Sequence, residues 1–118
     1  MAKGDDIEDR LIDFAVRVIR VCEELSDKAA ARHIRGQLLR SGTAPAPNYG
    51  EARGAESGKD FVHKLRIVLK ELNESGIWLK MIVRAEMMSE ARLSTLLDEC
   101  DQLCRIISKS IHTAKQGS

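Results

Sequence analysis

The sequence predicts an all-α fold, an antiparallel up-down-up-down four-helix bundle, and three observations carry that prediction. Apolar side chains recur at alternating spacings of three and four along most of the chain, which places them on one face of successive helices. The chain leans on Leu, Ala, Glu, Lys, Arg and Met, which lose little freedom in a helix, whereas the aromatic residues that sheets favour are 3% of it. No run alternates apolar and polar residues as a half-buried strand would.

The first helix starts near Asp5 or Asp6, where Asp5, Asp6, Glu8 and Asp9 meet the positive end of the helix dipole. Ile7, Leu11, Phe14, Val18, Val21 and Leu25 form its inward stripe, and a second row, Ile12, Ala15, Ile19 and Cys22, widens that face. Asp27 is the expected cap of a second helix that turns Ala30, Ile34, Leu38 and Leu39 inward.

That second helix is broken at Pro45 and Pro47, each of which lacks an N–H and biases the residue before it away from αR. The consistent solution is a helix ending at Gly42 or Thr43 and a new one with proline in its opening turn, where the missing N–H costs nothing. The resulting elbow would aim Asn48, Glu51 and Arg53 at a neighbouring helix or subunit, and the piece ends at Gly54.

Ser57 with Asp60 three residues on resembles a capping box and opens the longest helix, from about Gly58 to Met87. Its stripe is Phe61, Leu65, Val68, Leu72, Ser75, Leu79 and Ile82, with a further apolar row through Ile67, Trp78, Met81, Ala85 and Met88. With a parallel row through Val62, Leu69, Gly76 and Val83 as well, that is more apolar surface than one antiparallel neighbour pair needs, so Trp78, Met81 and Met88 are candidates for a seam between subunits. Ser89 caps the last helix, whose stripe is Leu93, Leu96, Leu97, Cys100, Leu103, Cys104, Ile107 and Ile111, with Lys109 and Lys115 near its end and Gly117 as its stop.

With 118 residues, one domain over residues 1–118 is expected. The net charge of +1, from 19 basic and 18 acidic side chains, provides no bulk attraction to nucleic acid or an anionic membrane. Three cysteines, an odd number, argue against a disulfide framework and for a reducing compartment. The polar opening Met1–Asp6 has no apolar leader core, and no apolar run is long enough to span a bilayer, so the reading is a cytoplasmic protein without membrane contact.

No catalytic, metal or cofactor site is expected. Cys100 and Cys104 share a helix face and could offer two thiolates to a metal, but zinc needs four ligands, so they read as core. His33, His63 and His112 stand on separate helices and read as surface. Glu71 and Glu74 lack the Glu-x-x-His partner of a di-iron bundle and read as ion-pair partners across a helix interface. Arg32, Arg35, Arg40, Arg53, Lys59, Lys64, Arg66 and Lys70 form a basic stripe, diluted by Glu51, Glu56 and Asp60, that could meet phosphates.

The run Gln37-Leu-Leu-Arg-Ser-Gly-Thr43, then Asn48-Tyr-Gly-Glu-Ala52, Asp60-Phe-Val-His-Lys-Leu65 and Leu69-Lys-Glu71 resembles the bacterial four-helix-bundle proteins, also called the large-subunit rRNA intervening-sequence proteins. Phe14-Ala-Val-Arg-Val-Ile19, Trp78-Leu79 and Thr113-Ala-Lys115 extend the resemblance over nearly the whole chain. It implies a four-helix bundle that assembles as a ring-like homopentamer with no established enzymatic activity. The accessory proteins of diversity-generating retroelements, which bind nucleic acid and a reverse transcriptase, are more distantly similar.

Gln37, Arg40, Asn48, Glu51 and Ser57 match the polar positions of the motif, where hydrogen bonds joining helices are the expected role. The sequence departs from the pattern at Ala44-Pro45-Ala46-Pro47, which carries two prolines. The expected function is therefore that of a non-enzymatic homo-oligomeric scaffold whose partner is itself. The alternative is an accessory protein that binds RNA, DNA or a nucleic-acid enzyme through Arg32, Arg35, Lys59, Lys64, Arg66 and Lys70 on the assembled ring.

Overall fold

The computed structural model describes residues 4–117, so Met1–Lys3 of the leader reading lie outside the described residues. Its helices are α1 (Asp5–Glu24), α2 (Ala29–Thr43), α3 (Pro45–Arg53), α4 (Gly58–Arg84) and α5 (Glu90–Gln116), with no strand among the described residues. The second helix of the bundle is bent, and α2 and α3 are its two arms.

Local chemistry sets most of the boundaries. The first turn of α1 holds Asp5, Asp6 and Glu8, as the helix dipole favours. Ser57 Oγ accepts the Asp60 amide at 3.1 Å to start α4, and Ser89 Oγ accepts the Arg92 amide at 3.3 Å to start α5. At the bend, Ala44 keeps helical angles (φ −75°, ψ −35°) and Pro45 is the first residue of α3. Pro47 falls in the same opening turn, where amides have no partner inside the helix, so neither ring breaks a helical hydrogen bond of α3.

Two boundaries differ from the sequence reading. Lys28, not Asp27, occupies the N-cap of α2, with extended backbone and no side-chain cap. Asp27 instead receives Arg35 Nη2 at 3.3 Å, while Arg35 Nη1 reaches the Leu25 and Ser26 carbonyls at the end of α1. Helix α4 stops at Arg84 rather than Met87 because Glu86 takes a left-handed conformation (φ 58°) and the Met87 amide turns back to the Ile82 carbonyl at 3.0 Å.

Around the bundle, α1 packs on the bent α2–α3, these pack on α4, α4 packs on α5, and α5 closes on α1. The result is a rod of 48 × 23 × 23 Å. Leu11, Phe14 and Val18 of α1, Leu38 of α2, Leu65, Val68, Leu72, Leu79 and Ile82 of α4, and Leu103 and Ile107 of α5 are fully buried at its centre. Among the described residues, Ser41 and Ser75 are the buried polar side chains. Their hydroxyls bond each other at 2.9 Å, with Ser75 also 2.9 Å from the Glu71 carbonyl, so α2 approaches α4 without leaving a polar atom unpaired.

The widened apolar faces are corrected in detail. Ile12, Ile19 and Leu39, read as inward, are 45%, 37% and 40% exposed, and Ala30 yields its inward place to Ala31. One bundle seam cannot accommodate so broad an apolar arc, and the surplus stays outside. Met88 is corrected the other way: the reversal at Glu86 folds it onto the core, where it is buried.

Candidate functional site

The polar residues of the elbow join helices within the chain. Arg40 Nη1 meets Glu71 Oε2 at 2.9 Å and its Nη2 contacts Glu74 Oε2, tying α2 to α4. Arg53 Nη2 meets Asp5 Oδ1 at 2.8 Å and its Nη1 meets Glu8 Oε1 at 3.3 Å, tying α3 to α1. Glu51 faces Lys64 at 3.8 Å. Asn48 Nδ2 turns back to the Ala44 carbonyl at 2.9 Å and braces the bend itself. Ser57 serves only its own helix, and Gln37, half-buried, makes no side-chain hydrogen bond among the described residues.

Trp78, the single tryptophan, belongs to this network. Its Nε1–H donates to Glu74 Oε2 at 3.1 Å, and His33 stands edge-on to its ring at 6.0 Å. The indole donor, followed by Arg40, holds the Glu74 carboxyl below its ordinary value. The stabilisation this carries is complete above the ordinary carboxylate pKa and is lost as pH falls through the lowered one. Trp78 emission is therefore expected to change in one acid step centred below the ordinary glutamate range, and Glu74→Gln to abolish the step. A step centred at or above the ordinary value would contradict this.

The basic stripe does not survive as one surface. Arg35, Arg40, Arg53 and Lys64 are held in ion pairs. Arg32, Lys59, Arg66 and Lys70 have no ion pair among the described residues, although the charge of Lys70 acts on Glu74. Lys59 and Arg66 instead line a cleft of about 580 Å³ with Gly58, Val62, His63 and Lys115. Among the described residues, no carboxylate lines it. The sequence reading missed His63 and Lys115 as members of this cluster; the antiparallel pairing of α4 and α5, which sets the start of one beside the end of the other, is the signal that would have found them.

The exposed apolar residues also fall into a pattern. Ile12, Val16 and Ile19 follow i, i+4, i+7 spacing along the outside of α1, and Leu39 lies on α2, which packs against it. Ile77 and Met81, 53% and 43% exposed, occupy the outside of α4. Of the proposed seam residues, Met81 is exposed, Trp78 is half-buried in the elbow network and Met88 belongs to the core. Cys22 and Cys100 are buried and Cys104 is half-buried, all as free thiols. No group of three or more His, Cys, Asp or Glu among the described residues could hold a metal, and none of the described helices is long and apolar enough to cross a membrane.

The bent second helix, with arginines bracing each arm to the helices beside it, defines a four-helix-bundle protein. This chain belongs to the 23S rRNA-intervening sequence protein family, whose pattern it matches over residues 6–109. A solved structure of a protein of unknown function from the S23 ribosomal protein family of Bacteroides thetaiotaomicron is 30% identical, with a TM-score of 0.84 over 89% of this chain and 97% of that one. No curated protein matches the chain.

Proposed function

We propose that this protein is a non-enzymatic scaffold that assembles with copies of itself. The observation that carries the reading is the exposed apolar row Ile12, Val16 and Ile19 on α1, with Leu39 exposed on the adjoining α2, left in water by a bundle whose own core is already filled. Clustered apolar side chains on a small protein mark an interaction surface, and a self-complementary or ring-closing contact is the economical way to cover them. A five-membered ring is the number the family resemblance implies. The solved neighbour is itself a protein of unknown function. Ile12→Glu with Ile19→Glu is expected to convert the assembly to monomers with unchanged helicity by circular dichroism, read by light scattering. An assembly of unaltered mass would sink the assignment of this face.

A second reading rests on the cleft of Lys59, His63, Arg66 and Lys115. Lys59 and Arg66 beside Lys115 around one concavity, with no carboxylate lining it among the described residues, suit the phosphates of RNA or DNA, and a ring would repeat the cleft in every copy. Binding to RNA should weaken steeply with salt, and Lys59→Glu with Arg66→Glu should abolish it. Absence of retention on RNA at low ionic strength would rule this reading out.

A further inference from the structure

Leu72, Asn73, Gly76, Ile77 and Lys80 of α4 and Leu97, Cys100, Asp101 and Cys104 of α5 line a groove of about 260 Å³. Its chemistry is concentrated in two sulfurs. Cys100 and Cys104 lie one turn apart on α5, where side chains four residues apart are neighbours, and both line the groove. Cys100 Sγ is also 3.2 Å from the Leu72 carbonyl, and Cys104 Sγ is 3.4 Å from Asn73 Oδ1. On the opposite wall Gly76 leaves the sulfurs room, since a Cβ there would stand 3.4 Å from Cys100 Sγ.

We propose that this groove binds one soft monovalent metal ion of the copper(I) class between the sulfurs of Cys100 and Cys104. The inference is independent of the scaffold reading. Thiolates select soft ions, and copper(I) accepts two sulfur ligands where zinc would require two more donors. With no third His, Cys, Asp or Glu in place among the described residues, the site offers two-coordinate chemistry. Binding turns two thiols into two thiolates, releases two protons to solvent and leaves the metal dithiolate with one negative charge. Lys80 in the groove wall offsets that charge, while Asp101 opposes it.

Cys22 is the internal control. Its thiol is buried against the Arg35 carbonyl at 3.6 Å in the seam between α1 and α2, and burial pushes its pKa up to about 11.

The test is an anaerobic titration of the reduced full chain with copper(I) against a chromophoric chelator. The wild-type chain and Cys22→Ser are expected to withhold one copper(I) per chain, with two sulfur neighbours by X-ray absorption. Cys104→Ala, at a half-buried position, should withhold none while keeping the wild-type circular dichroism spectrum; Cys100→Ser should behave alike if it folds. The proposal is overturned if the wild-type chain withholds no copper, if folded Cys104→Ala withholds as much as wild type, or if Cys22→Ser loses the ion.

Discussion

Replacing Gly42 with alanine is expected to destabilise the bundle, although alanine is the better helix former. A Cβ at Gly42 would stand 2.6 Å from Val18 Cγ1 and 2.8 Å from Val18 Cγ2, closer than side-chain carbons pack. Val18 is fully buried and β-branched, so it has neither an empty space nor an easy rotamer into which to retreat. Overpacking at this approach costs about 3 kcal/mol, against about 1 kcal/mol regained from helix propensity, for a net loss of about 2 kcal/mol. Val18→Ala alone also destabilises, through the cavity it opens. The double variant should be more stable than the two losses together imply, because the new methyl fills the space Val18 vacates. Urea unfolding followed by circular dichroism checks this, and simple additivity of the losses would refute the contact.

Replacing both Pro45 and Pro47 with alanine should act on assembly rather than on helicity. Proline in a helix interior costs about 3 kcal/mol, so these two rings forbid one straight helix from Ala29 to Arg53 and force the start of α3 at Pro45. Without them α2 and α3 are expected to merge. Straightening would draw Arg53 away from Asp5 and Glu8 on α1 and Glu51 away from Lys64 on α4. The outer face of α1 would then lose its placement against α2, and self-association should weaken by at least about tenfold, or about 1.4 kcal/mol. Circular dichroism should register equal or greater helicity. Unchanged association would reduce the bend to a tolerated interruption.

The helices were legible in the sequence because their signals are local. Ser57 with Asp60, Ser89, the acidic turn from Asp5 and the paired prolines each act within four residues, and the structure places α4, α5, α1 and the bend where those residues require. Asp27 misled because its partner, Arg35, is eight residues away and competes for the carboxylate. The main stripes were legible too, and Leu11, Phe14 and Val18 of α1, Leu65, Leu72 and Ile82 of α4 and Leu103 and Ile107 of α5 are buried as read; how far the second rows turn inward was not, since the periodicity of Ile12 and Ile19 identifies a helix face but not the neighbour that covers it. The basic stripe failed for the same reason: Arg40 and Arg53 find Glu71, Glu74, Asp5 and Glu8 only when the chain folds. His63 and Lys115 come together from positions far apart in the sequence, across the antiparallel pair α4 and α5.

Self-association is tested most directly by the mass of the wild-type chain in solution. Sedimentation equilibrium at micromolar concentration should return a whole-number multiple of 13.2 kDa, five times that value for the ring implied by the family resemblance. A single species of 13.2 kDa across the concentration range would contradict the account.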